Sequence, residues 1–193
     1  MLVPYVNLYP DEAVAALKGY EAYGWALSVE LIGPEKDAYY EKLNEVWTLC
    51  AMAKSDLLVI EGDIVIHNKV LEGFEECPNT YCVHVFWVGA SYKYGLGCTR
   101  FRAGLIANHP DLVRVAAHRT NDGVPIVGFW GRMDTRICDE ARDRGLLGLN
   151  TAGKPSPCIH EPSIKHLHKY PMSEPESQED EQWAVAKFRR ENA

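Results

Sequence analysis

The amino-acid sequence predicts a single α/β domain built on a mostly parallel central sheet, and three features carry that expectation. Strand-like and helix-like runs alternate over the first third of the chain. The run Leu57-Leu-Val-Ile60 is apolar throughout, as in a strand covered on both faces, and it leads straight into the triplet Glu61-Gly62-Asp63. With 193 residues, 47% of them hydrophobic, the chain is long enough for one ordinary core and too short for two full-sized domains.

Each element has a local reason. Leu2 to Leu8 reads as a first strand. Pro10-Asp11-Glu12 then opens a helix through Lys18, because proline suits the first helical turn and acids suit the positive end of the helix dipole; Gly19 stops it. Ala26 to Ile32 is a second strand. Pro34 begins a longer helix in which Tyr39, Tyr40, Leu43, Val46, Trp47, Cys50 and Ala51 recur at helical spacing, and Leu57 to Ile60 follows as the third strand. Strand, helix, strand, helix, strand is the pattern of a nucleotide-binding α/β half. A short helix from Asn68 to Glu76, a strand from Tyr81 to Val88 and a glycine-rich segment from Gly89 to Gly97 come next, with helical order resuming near Thr99. Trp130 to Arg144 places Met133, Ile137, Cys138 and Ala141 on one helical face, carries Asp134 in its first turn and closes at Gly145. Asn150 to Pro157 is a turn segment and Cys158 to His168 an extended one. The domain is expected over residues 1–170. Residues 171–193 form an acidic tail, too charged to pack around Ser173 to Glu181, with a short terminal helix from Gln182 to Arg190.

Composition narrows the function classes. A formal net charge of −7 disfavours broad adhesion to nucleic acid, while Arg100, Arg102 and Arg114 remain available as local partners for an anionic ligand. No run approaches the roughly 20 apolar residues of a membrane span, and Met1 to Asn7 lacks a signal-peptide pattern, so no membrane partner and a cytoplasmic location are expected. The six cysteines include no Cys-x-x-Cys pair, which predicts reduced, mostly buried thiols.

Chemistry is expected first at Glu61-Gly62-Asp63. Two carboxylates follow a buried strand, and the glycine between them lets backbone approach a ligand closely. Mn2+ or Mg2+ suits such a place, because a hard cation takes oxygen ligands and is commonly held by one or two carboxylates plus substrate phosphates. His166 and His168 share one face of the later extended segment and are candidates to join the metal. Asp134, at a helix start that favours its ionised form, is the candidate general base, and Trp130 offers an apolar platform to a sugar face. Gly95 to Arg102 reads as a loop entering a helix, with Thr99 and Arg100 as candidate substrate contacts. A rival site is a zinc centre of Cys158, His160, His166 and His168, whose spacing is not a standard zinc pattern.

Four elements in order, Val3-Pro4-Tyr5, Ile60-Glu-Gly-Asp63, Gly97-Cys-Thr99 and Trp130-Gly-Arg-Met-Asp134 followed by His160 to His168, resemble a compact GT-A glycosyltransferase of the kind found in viral genomes. The resemblance spans residues 2–168 and implies a nucleotide-diphospho-sugar transferase sandwich. It implies that Glu61-Gly62-Asp63 replaces the usual Asp-x-Asp, with Asp63 on the cation and donor diphosphate and Glu61 towards the ribose. It further implies that Pro4, Tyr5 and Glu30 border the base, that Asp134 is the base of an inverting transfer, and that His166 or His168 is the third metal ligand. The donor would be a UDP-sugar and the acceptor a hydroxyl, a modified DNA base being one such acceptor, in the host cytoplasm for a viral protein. Two departures stand out: glutamate replaces the first aspartate, and Met133-Asp134 stands where many members carry Glu-Asp. A non-catalytic nucleotide-sugar binder and a zinc-stabilised interaction module are the alternatives.

Overall fold

The computed structural model describes residues 2–5, 28–31, 38–61, 64–65, 68–88, 91–93, 95–117, 120–121, 124–125, 133–161 and 164–166. Gly62, Asp63, Trp130 and His168, the helix expected from Pro10 and the tail from residue 171 lie outside the described residues. In chain order the elements are β1 (Leu2–Tyr5), β2 (Ser28–Leu31), α1 (Ala38–Ala53), β3 (Leu57–Ile60), β4 (Ile64–Val65), α2 (Asn68–Glu76), β5 (Tyr81–His84), β6 (Phe86–Val88), β7 (Ser91–Lys93), β8 (Cys98–Phe101), α3 (Ala103–Asn108), α4 (Leu112–Ala117), β9 (Thr120–Asn121), β10 (Val124–Pro125), α5 (Met133–Asp143), β11 (Gly148–Leu149), β12 (Pro155–Ser156), β13 (Cys158–His160) and β14 (Lys165–His166). None of the described helices is long and apolar enough to cross a membrane.

Six strands form one mixed sheet in the order β13-β5-β8-β3-β1-β2. The pairs β1 with β2, β1 with β3 and β13 with β5 are parallel, whereas β8 runs antiparallel to both β3 and β5. Because β1 has β2 on one side and β3 on the other, the chain leaves β1 in one direction and returns on its opposite flank. Open α/β sheets take ligands at such a reversal, outside the carboxyl ends of the strands, here β1 and β3.

Period-two alternation divides the sheet into two cores. Leu57, Val59, Tyr81, Val83 and Phe101 face one way and pack with Tyr39, Leu43 and Trp47 of α1, with α3 and α4, and with Met133, Ile137 and Ala141 of α5. Leu58, Ile60, Cys82 and Cys98 face the other way, under Val70, Leu71 and Phe74 of α2. The all-apolar sequence of β3 thus has a direct cause: all four of its residues are buried, and both faces are covered.

Helix ends obey local chemistry. In α5, Leu146 N–H donates to Ala141 O and Gly145 N–H to Arg142 O, with Gly145 at φ 69°, the double closure that a glycine permits because it has no Cβ. Pro78 follows the end of α2, where the residue before a proline is driven out of the helical region. Trp47 Nε1 donates to His109 O at 3.1 Å, so the largest buried side chain of the first core has its one polar group satisfied.

Two expected elements are corrected. The strand expected from Tyr81 to Val88 is two, β5 in the six-stranded sheet and β6 paired with β7 in a separate hairpin. Helical order does not begin at Thr99: Cys98–Phe101 is a fully buried central strand, and α3 starts at Ala103. An arginine in the middle of four residues hid the strand from hydropathy. Its cost is met by hydrogen bonds that sequence does not display, described below.

Candidate active site

The carboxyl end of β3 is the natural starting point. Glu61 continues directly from β3, and its N–H donates to Gly97 O at 2.9 Å, which fastens the strand end to the turn before β8. That turn is pinned again from within, because the buried Thr99 hydroxyl donates to Gly95 O at 2.5 Å. Asp134, in the first turn of α5, sits against the same turn: a Cβ added to Gly95 would lie 2.5 Å from Asp134 Oδ2. A side chain at position 95 would therefore occupy the space that this carboxylate uses.

Tyr39 of α1 joins the group. Burial, then the negative charges of Glu61 and Asp134, hold its phenol well above the ordinary tyrosine range, so it stays protonated beside two carboxylates. Asp134 is itself shifted upwards by burial, a rise partly offset by the N–H and hydroxyl of Thr135, the former donating to Oδ1 at 2.7 Å. A carboxylate raised in this way is a better proton acceptor than one in water.

The histidine strand returns to this end of the sheet. β14 pairs antiparallel with β4, and His166 stands in register with Ile64, the residue that follows Asp63 in the chain. Pro4 and Tyr5 are the last two residues of β1, and Glu30 lies opposite Pro4 in β2. The backbone thus gathers β1, β3, β4 and β14 into one neighbourhood from three distant parts of the sequence.

Thr99 and Arg100, the expected substrate contacts, have no exposed surface. Both lie in the core, Thr99 on the side of the Gly95 turn and Arg100 on the opposite face of the sheet. There the Arg100 guanidinium donates to Phe74 O, to Cys77 O at 3.0 Å and to Asn79 O at 2.8 Å, and it meets Cys82 Sγ at 3.1 Å. Thr99 serves the site only by holding the turn that backs Asp134.

No protein-family profile matches this sequence, and no curated protein matches it. Among solved structures, the chain is similar to A197 from STIV at 11% identity and a TM-score of 0.49, over 87% of this chain and 84% of that one. It is also similar to a glycosyltransferase involved in the glycosylation of the major capsid of PBCV-1, at 11% identity and a TM-score of 0.49, over 94% of this chain and 97% of that one. Likeness at that level carries no chemistry across, and the functional reading rests on the residues themselves.

Sequence reasoning missed two things here. Tyr39 looked like one more apolar position on α1, and nothing in its spacing signals that its hydroxyl lies near two acids. The second is a cluster on the far face of the sheet, where Cys77, Cys82, Cys158 and His160 bring their ligand atoms within 4.8 Å of one another. The spacings Cys77-x4-Cys82 and Cys158-x-His160 were its only trace. All six cysteines are free thiols, Cys77, Cys82 and Cys98 among them buried.

Proposed function

We propose that this chain is a metal-dependent glycosyltransferase of GT-A type, moving a sugar from a nucleotide-sugar donor to an acceptor hydroxyl. The observation that carries the reading is the position of Glu61. It leaves β3 at the point where the strand order reverses, with the raised carboxylate of Asp134 close by. Acid at such a reversal suits a cation that bridges protein and diphosphate.

In this reading Asp63 would hold a divalent cation, Mn2+ or Mg2+, for the donor diphosphate, and Glu61 would reach the ribose. Pro4, Tyr5 and Glu30 border the base, which the resemblance makes a uracil. The register of His166 with Ile64 favours His166 over His168 as the third metal ligand, since it brings the strand beside the residue after Asp63. Asp134 takes the proton from the acceptor hydroxyl as that oxygen attacks the anomeric carbon, with inversion, and Trp130 supports the sugar face. A divalent cation held there would supply charge stabilisation for a departing nucleoside diphosphate.

The test is a calorimetric titration of metal-free protein with UDP, GDP and a panel of nucleotide-sugars, each with and without Mn2+, repeated on Asp63→Ala. Metal-dependent binding that disappears in the variant supports the donor site. Binding without transfer to any acceptor hydroxyl would leave a nucleotide-sugar binder, and no binding by any nucleotide would end the proposal.

A further inference from the structure

On the face of the sheet away from Asp134, four side chains converge from two distant segments. Parallel pairing of β13 with β5 sets Cys158 beside Cys82 and His160 beside His84, and period-two alternation turns these four side chains to one face. Cys77, just past the end of α2, completes the group. Cys82 Sγ is 3.1 Å from Cys77 Sγ, Cys77 Sγ is 3.6 Å from Cys158 Sγ, and Cys158 Sγ is 3.9 Å from His160 Nε2.

We propose that Cys77, Cys82, Cys158 and His160 form a structural Zn2+ site that staples the edge strand β13 to β5 and α2. Tetrahedral zinc with Zn–S near 2.3 Å and Zn–N near 2.0 Å sets its ligand atoms about 3.5 to 3.8 Å apart. The three separations above bracket that spacing: the Cys77 and Cys82 sulfurs part by about 0.7 Å and the widest pair, within 4.8 Å, closes by up to about 1 Å for the cluster to take an ion, movements that side-chain torsions supply. Three thiols and one imidazole fill all four positions and leave no open one for substrate, which is the form of a structural zinc site and not of a catalytic one. The six-residue stretch from Cys77 to Cys82 has the four-residue gap found in zinc-binding turns.

Charge balance supplies a second, independent argument. Arg100 is fully buried against this cluster, and among the described residues the acceptors it reaches are three carbonyl oxygens and Cys82 Sγ. Zn2+ held by three thiolates and a neutral imidazole carries a net charge of −1, the three thiol protons having gone to solvent. The guanidinium cancels it, so the loaded site is neutral in a low-dielectric core, whereas three thiols leave Arg100 a buried cation with no anionic partner among the described residues. The surrounding groups also behave as an outer shell. Asn79 Nδ2 donates to Cys77 Sγ at 3.5 Å, and the His160 ring is stacked on His84 with centroids 4.9 Å apart, Phe74 standing edge-on to both. This site differs from the zinc centre that sequence alone suggested: it keeps Cys158 and His160, and takes Cys77 and Cys82 in place of His166 and His168.

The experiment uses the full chain, purified under reducing conditions without chelator, and measures metal per protein by elemental analysis. The expected result is about one zinc per chain, retained in Cys50→Ser, whose thiol is outside the cluster, and lost in Cys82→Ser. Asn79→Ala keeps the four ligands and should weaken zinc binding about tenfold in a chelator competition. Co2+ exchange into the unmodified protein is the decisive readout, since it does not depend on the folding of Cys82→Ser: visible bands of tetrahedral cobalt with a thiolate-to-cobalt charge-transfer band support the site. A protein free of zinc that takes up cobalt without those bands, or one whose intact mass shows a Cys77–Cys82 disulfide after reducing purification, overturns it.

Discussion

Gly95 offers the sharpest test of the role given to Asp134. Gly95 is buried, and the described glycines at positive φ are Gly145 and Gly153, so an alanine at position 95 acts through volume and not through backbone strain. The added Cβ would lie 2.5 Å from Asp134 Oδ2, 3.3 Å from Cγ and 3.4 Å from Cβ. To restore a 3.0 Å separation Oδ2 must retreat by about 0.5 Å, and to reach an ordinary 3.4 Å contact by about 0.9 Å. A side-chain carboxylate can make that movement, so the stability cost should fall at the low end of overpacking, about 1 kcal/mol. A general base displaced by nearly an ångström should lose up to about 100-fold in turnover. The assay compares Gly95→Ala with the unaltered protein in donor turnover, in Mn2+-dependent UDP affinity and in thermal unfolding. Turnover should drop steeply while UDP affinity stays within about twofold, because the proposed mechanism gives Asp134 the acceptor hydroxyl and not the diphosphate. Unchanged turnover in a natively folded variant would refute the assignment of Asp134, and an equal fall in affinity and turnover would point to general distortion of the turn.

Three further outcomes are expected. Asp134→Asn should abolish transfer yet retain nucleotide binding. It should also be more stable than the parent at neutral pH: burial raises the folded pKa of Asp134, so the parent's stability falls as pH rises through that value. The gap should close below about pH 4, the range of an unfolded carboxyl, and urea midpoints across pH would show it. Arg144 holds Asp111 through two contacts at 2.8 and 3.2 Å and Glu140 at 2.7 Å, tying the segment before α4 to the end of α5. Arg144→Met should cost about 0.5 to 1 kcal/mol at neutral pH, as for a part-exposed ion pair. Its hydrogen bond lowers the Asp111 pKa, so the contribution is present above the unfolded carboxyl range and disappears as pH falls through the depressed value, where the two urea midpoints should converge. Asp56 accepts from Ala103 N–H at 2.8 Å and from Arg102 at 3.3 Å, capping α3 from across the fold. Asp56→Ala should cost about 1 to 2 kcal/mol in chemical denaturation, and no loss would mean that water replaces the cap.

The α/β character and the placement of Glu61 after a buried strand were legible because they are one-dimensional signals. A strand covered on both faces must be apolar in every residue, and a helix packed on a sheet must repeat its apolar positions every three or four residues, as α1 does with Tyr39, Leu43 and Trp47. The end of α5 was legible for the same reason, since the left-handed position at Gly145 favours one residue type. The strand β8 was not legible. Hydropathy scores Arg100 as exposed, and the carbonyls of Phe74, Cys77 and Asn79 that take its charge belong to the last turn of α2 and the loop after it, more than 20 residues away.

Local sequence therefore determined the layers of this protein and the acidic residue that ends β3. Tertiary structure alone decided which residues share a site, because strand order and register are long-range properties. The reversal at β1, the pairing of His166 with Ile64 and the approach of Asp134 to Gly95 each join segments with no common local signal. The cysteine cluster makes the physical reason plain. Cys77 and Cys82 approach Cys158 and His160 across a gap of some 80 residues, and only the parallel register of β13 on β5 turns their side chains to one face.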